Sequence, residues 1–113
     1  MKKKVLTKDG VESVEVIDEF SMFGQMFFTY NQREEDSIHV IDAYSGYSVY
    51  RIDLIEYFFL NLKELSALIT EKAKELLKQK RHEFFELRYS SLLEETGSTN
   101  PINADYENAE NNA

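Results

Sequence analysis

From Leu62 to about Glu95 apolar residues recur at three- and four-residue steps, and this stripe constrains the fold more than any other feature. Leu62, Leu65, Leu68, Ile69, Leu76 and Leu77 make a first run with Ala73 between them. Phe84, Phe85, Leu87, Tyr89, Leu92 and Leu93 make a second. The spacing predicts helix, and an amphipathic helix needs an apolar surface to lie on. A continuous helix here would be about 50 Å long at its rise of 1.5 Å per residue, more than a small sheet can cover. Lys78-Gln79-Lys80-Arg81-His82 separates the two runs without an apolar residue. Either the helix breaks there, or its distal half packs on a second copy or on a partner. In the second case Phe84, Phe85, Tyr89 and Leu92 are the candidate interface, and a homodimer through the distal helix is one form it takes.

The covering surface is expected upstream. Asp9-Gly10 is a two-residue turn signal, and pairing strands across it sets Val5 opposite Val14 and Lys4 opposite Glu15. Residues 22–31, rich in aromatics, predict a third strand. Gln32-Arg33-Glu34-Glu35-Asp36 is a charged loop before a strand from Ser37 to Ala43, and Ser45-Gly46 turns the chain into another from Tyr47. Residues 53–60 are ambiguous: Asp53 with Glu56 resembles a capping box, but so does Asn61 with Glu64. The β-preferring Ile55, Tyr57, Phe58 and Phe59 favour the later helix start. The expected fold class is α+β, an antiparallel sheet of four to five strands from the N-terminal half followed by one long or broken C-terminal helix. Residues 1–97 then form a single domain, and the Asn-rich residues 98–113 a disordered tail. A sheet covered on one face by one helix cannot bury all of its Phe and Tyr residues, so some tyrosines are expected at the surface.

Chemistry is scarce. Cysteine is absent, which removes thiolate ligands and nucleophiles together. The four glycines are scattered, so no phosphate loop forms. His39 and His82 lie in no catalytic motif; His82 with Glu86 lacks a third metal ligand, and Glu34-Glu35-Asp36 lacks the spacing of a calcium loop. The residues therefore point to no catalysis, no cofactor and no metal. The basic start Met1-Lys2-Lys3-Lys4 leads into no apolar segment, and Tyr57–Leu60 is far too short to span a bilayer, so a cytoplasmic protein without membrane contact is expected.

The net charge of −8 is unevenly placed. Residues 11–59 carry ten acids against Arg33 and Arg51, whereas residues 60–95 are balanced. An acidic half opposes phosphate backbones and attracts a basic surface. The bases around Lys78–His82, with Lys72, Lys74 and Arg88, interleave with Glu71, Glu75, Glu83 and Glu86 at helical spacing. That pattern reads as a salt-laced solvated face and argues against direct nucleic-acid binding.

Short length, the acidic strand region (Glu12, Glu15, Asp18, Glu19, Glu34, Glu35, Asp36) and the order of strands before helix together resemble small acidic accessory proteins of phages and plasmids. Among these the chain resembles the type II anti-CRISPR proteins, the Cas9 inhibitors. The resemblance covers the chain as a general pattern and carries no diagnostic motif. It implies a protein partner with a basic surface, Cas9 or its guide-RNA complex, in the bacterial host cell. The seven acids are then the expected partner-binding face. The other reading is an oligomeric adaptor or scaffold of a phage or plasmid module, held together by the distal helix.

Overall fold

The computed structural model describes residues 1–22, 24–57, 59–79 and 81–103. Six strands come first: β1 (Lys2–Thr7), β2 (Gly10–Glu15), β3 (Asp18–Met22), β4 (Gln25–Gln32), β5 (Ser37–Asp42) and β6 (Ser48–Asp53). Two helices follow, α1 (Leu62–Gln79) and α2 (Arg81–Thr96). The strands form two antiparallel sheets, β1–β2 alone and β3–β4–β5–β6 in that order. The fold is α+β as expected, but the helical region is two helices, with α1 ending inside the stretch that lacks apolar residues.

The first hairpin slides by two residues from the expected register. Val5 faces Glu12 rather than Val14, and Lys4 faces Ser13 rather than Glu15. A type I′ turn at Asp9-Gly10 needs positive φ at both positions, but Asp36 is the one described non-glycine residue there. Lys8-Asp9 forms the loop instead, and Gly10, at φ +105°, opens β2. Thr7 closes the loop: its hydroxyl accepts from Asp9 N–H (3.1 Å) and donates to Gly10 O (2.9 Å). A slide of two leaves every side chain on its original face, so Val5 and Val14 still look inward.

The expected strand over 22–31 is divided. Gly24, at φ +74°, turns the chain, so β3 and β4 form a hairpin with Phe20 stacked on Phe27 at 5.2 Å. Between β2 and β3 the chain changes sheets. Val16 N–H donates to Met1 O (2.9 Å), in the ladder of β1, while Ile17 N–H donates to Thr29 O (2.8 Å), in the ladder of β4.

That bend folds β1–β2 over the larger sheet, which is then buried on both faces. On one side Phe27, Ile38, Val40 and Ile52 meet Leu65, Ile69, Ala73 and Leu77 of α1. On the other, Phe28, Tyr30, Ile41 and Ala43 pack with Val5, Val14 and Val16 of the hairpin. The expected single-sided sheet is thereby corrected: the second face buries Phe28 and Tyr30, and Tyr44, Tyr47 and Tyr50 are half-buried rather than at the surface, while Phe59 stays exposed. Each fully buried Leu or Ile on α1 contributes about 1.5–3 kcal/mol. Thr29 and Ser66 hydroxyls, 2.7 Å apart, satisfy each other within this layer.

Local signals set the ends of the helices. Asn61 caps α1, its Oδ1 accepting from Glu64 N–H (2.8 Å), and residues 54–57 form a short 3-10 turn rather than strand or α-helix. Gly97, at φ +72°, ends α2 by donating to Leu93 O (2.8 Å). Residues 98–103 run back along the sheet, where the sequence suggested a tail. Asn103 is buried and takes Lys4 N–H on Oδ1 (2.7 Å), while its amide donates to Lys4 O (3.1 Å) and Ala43 O (2.7 Å). Gly46 is fixed by this approach: at φ +75°, a Cβ there would meet Ile102 and come within 3.0 Å of Leu6 N. Residues 104–113 of the expected tail lie outside the described residues. Among the described residues no helix is long and apolar enough to cross a membrane.

Candidate functional site

The sheet change at Val16–Ile17 opens a fork. Up to Ile17 the path through β3 is paired to β4, but β2 turns away to pair with β1. The far end of β4 is therefore left beside β2 without being bonded to it. A cleft of about 450 Å³ lies there, between Glu12–Ile17 and Tyr30–Glu34. A second cleft of about 380 Å³ adjoins it, running from the Leu6–Asp9 turn to His39, Ser48 and Arg51. Glu12, Tyr30, Gln32 and Glu34 line both.

Besides Asp9 of the turn, four carboxylates converge on these clefts from two segments, Glu12 and Glu15 on β2 and Glu34 and Glu35 on the turn after β4. Glu15 is held by the amino terminus of Met1 (3.1 Å), and Glu35 by Arg51 (3.5 Å). Among the described residues Glu12 and Glu34 enter no ion pair. The other three acids of the expected face lie elsewhere. Asp18 and Glu19 are on β3, opposite Thr29 and Phe28, beyond the bend. Asp36 ends the 3-10 turn at φ +47°, where its backbone bonds Arg33 and Leu54.

The floor of the second cleft is polar and was not legible as a site. His39 Nδ1 lies 3.1 Å from Ser48 Oγ, while Nε2 lies 3.1 Å from Ser37 Oγ and 3.4 Å from Glu35. Its ring sits 5.3 Å from that of Tyr30. Burial lowers the His39 pKa from its ordinary value; Glu35 opposes this and Arg51 reinforces it. Burial, with Glu35 and Glu12 nearby, pushes Tyr30 up to about 12. At neutral pH both groups are uncharged, so the floor offers hydrogen bonds while the wall offers negative charge. The available signal was a histidine alternating with Ile38 and Val40, two residues from Ser37. Its partners come from β4, β6 and the turn, and only the fold assembles them. Among the described residues no group of three or more His, Cys, Asp or Glu is placed to hold a metal ion.

The distal helix differs from its sequence reading. Leu92 is fully buried within its own chain and offers nothing to a second copy, because it shares the inward face of α2 with Arg88, one turn away. Tyr89 is partly exposed, but its ring packs edge-on against Tyr44 and its hydroxyl accepts from Arg88. Leu87 and Leu93, each 51% exposed, occupy the outward side. The side chains of Phe84 and Phe85 lie outside the described residues. Arg88, read as part of a solvated basic face, is instead buried beside Asp42. No family model, no curated protein and no solved structure matches the chain.

Proposed function

We propose that this chain is a non-catalytic binding protein of the bacterial cytoplasm that docks its acidic clefts against a basic surface of a nucleic-acid-handling protein. The proposed partner is Cas9, free or loaded with guide RNA, whose basic channels hold RNA and DNA. Carboxylates would occupy positions otherwise taken by phosphates and block guide or target binding. What supports this reading is the convergence of Glu12, Glu15, Glu34 and Glu35 on one pair of adjoining clefts. Such a wall steers a cation-rich surface inward and repels nucleic acid itself.

The test is retention of Cas9, with and without guide RNA, on the immobilised chain. Glu12 and Glu34 are exposed, so their reversal to Lys leaves the core intact. The double variant should bind about tenfold or more weakly at low salt, and the native complex should weaken as salt rises. If neither form of Cas9 is retained, that partner is rejected. If Cas9 is retained but charge reversal changes nothing, the acidic wall is not the docking surface.

A further inference from the structure

The fork between β2 and β4 presents unpaired backbone as well as charge. We propose that it receives an extended, lysine- or arginine-bearing segment of the partner as an added strand along the outer edge of β2. The proposal rests on the docking reading above and names how the partner is held.

In an antiparallel ladder successive residues aim their N–H and C=O groups to opposite sides. Val16 N–H points to β1, so the even-numbered residues of β2 are spent on that pairing. The odd-numbered ones face outward. Ile17 fixes the phase, since its N–H donates outward to Thr29 O. Two and four residues back, Glu15 and Ser13 aim their backbone groups the same way, into the cleft, where no described residue pairs with them. On the facing wall β4 follows the same rule. Thr29 looks toward β3, so Asn31 turns its backbone into the fork, whereas Tyr30 and Gln32 are paired toward β5. Two strand edges thus part company at Ile17 and remain open on both walls of one cleft.

Charge selects the occupant. Glu12, Glu15 and Glu34 line the fork against Arg33 alone. An exposed edge is ordinarily a template for self-pairing, which charge suppresses. Here the charge is negative, so a second copy of the same edge is repelled and a basic strand is attracted. Strand addition of this kind draws its affinity from main-chain bonds and its selectivity from alternate side chains. Side chains of the added strand that reach Glu12 and Glu34 meet carboxylates with no ion-pair partner among the described residues.

The probe is a capped heptapeptide alternating lysine and threonine, compared with a copy methylated on every second backbone nitrogen. Methylation keeps the charge and removes the donors. Titrated into the full ¹⁵N-labelled chain, the unmodified peptide should shift the amide signals of Ser13, Glu15 and Asn31. The methylated copy should bind about tenfold more weakly, the effect of one to two lost net hydrogen bonds. Ser13→Pro removes one outward N–H and leaves the β1 ladder in place, so it should weaken the unmodified peptide similarly. Should that variant fail to fold, the peptide pair still decides. Equal affinity of the two peptides, or shifts that avoid these three amides, overturns strand addition and leaves charge-driven docking standing. Unchanged affinity of the unmodified peptide for the Glu12→Lys, Glu34→Lys variant removes the acidic wall from both readings.

Discussion

Two polar clusters sit at opposite ends of β5 and are built from similar parts. Near its start, Glu35 lies 3.5 Å from Arg51, with His39, Ser48 and Tyr30 around it. At its end, Asp42 lies 3.6 Å from Arg88, with Ser45, Tyr44 and Tyr89 around it. The separations are nearly equal and the surroundings are not. Arg51 and Glu35 are 64% and 39% exposed, whereas Arg88 and Asp42 are 3% and 0% exposed. Water screens the first pair and is excluded from the second, so distance alone ranks them wrongly. The first cluster is a cleft floor open to a partner. The second is the bolt that fastens α2 to the sheet: Arg88 also donates to Gln25 (2.8 Å) and stacks on Tyr89, and Ser45 donates twice to Asp42.

Removing one half of the buried pair tests this difference most severely. Arg88→Leu leaves a carboxylate in the interior without its cation, a change that destabilises by about 3–5 kcal/mol. Burial already raises the Asp42 pKa, with Ser45 and Arg88 opposing the rise. Without Arg88 the carboxyl should take up a proton at higher pH. Adding Asp42→Asn keeps an acceptor for Ser45 and removes the stranded charge. The double variant should therefore recover part of the loss, and urea denaturation of the four proteins measures the coupling. A single-variant loss below about 1 kcal/mol would place this pair with the exposed ones and dissolve the contrast.

The two clusters also differ in how far the sequence announces them. Features set within a few residues were legible: the turn near Asp9-Gly10, the Asn61 cap, the apolar stripe of α1, the Gly97 stop. Each depends on neighbours at fixed spacing, so the chain states it directly. The bend at Val16–Ile17 was not legible, because it follows from which distant strand each residue finally bonds. That bend separates Glu12 and Glu15 from Asp18 and Glu19, which looked like one acidic run, and it opens the fork. The aromatic surplus pointed to tyrosines at the surface and not to a second cover, yet Tyr30 is buried against the hairpin. Arg88 was misread for a similar reason. A base among acids at helical spacing looks solvated until its angular position is known, and here it faces Asp42, forty-six residues back.

Titration of His39 sharpens the comparison by its sign. Burial holds its pKa below the ordinary 6.5, so between the two values the unfolded chain binds more protons than the folded one. Stability is then complete above about pH 6.5 and is lost as pH falls through that value toward the folded pKa. Asp42 works in reverse, its raised pKa lowering stability as pH climbs from its ordinary 3.8. His39→Gln should flatten the change in urea midpoint between pH 7 and pH 5.5 relative to the native chain. An unchanged slope would mean that His39 is not held neutral by its surroundings.

The smallest expected effect belongs to Arg51→Ala. An exposed pair at this distance contributes less than about 1 kcal/mol and fades with salt, so the urea midpoint should barely move. The same substitution should still be visible at His39. Arg51 disfavours the imidazolium, so its removal should raise the His39 pKa, and Glu35→Gln, which removes the favouring charge, should lower it. Both are read from the ring signals across pH. A loss above about 2 kcal/mol from Arg51→Ala would show the cleft floor to be as dry as the Asp42 site, because exposed pairs do not reach that size. The clefts would then be closed in the free chain, and docking would first have to open them.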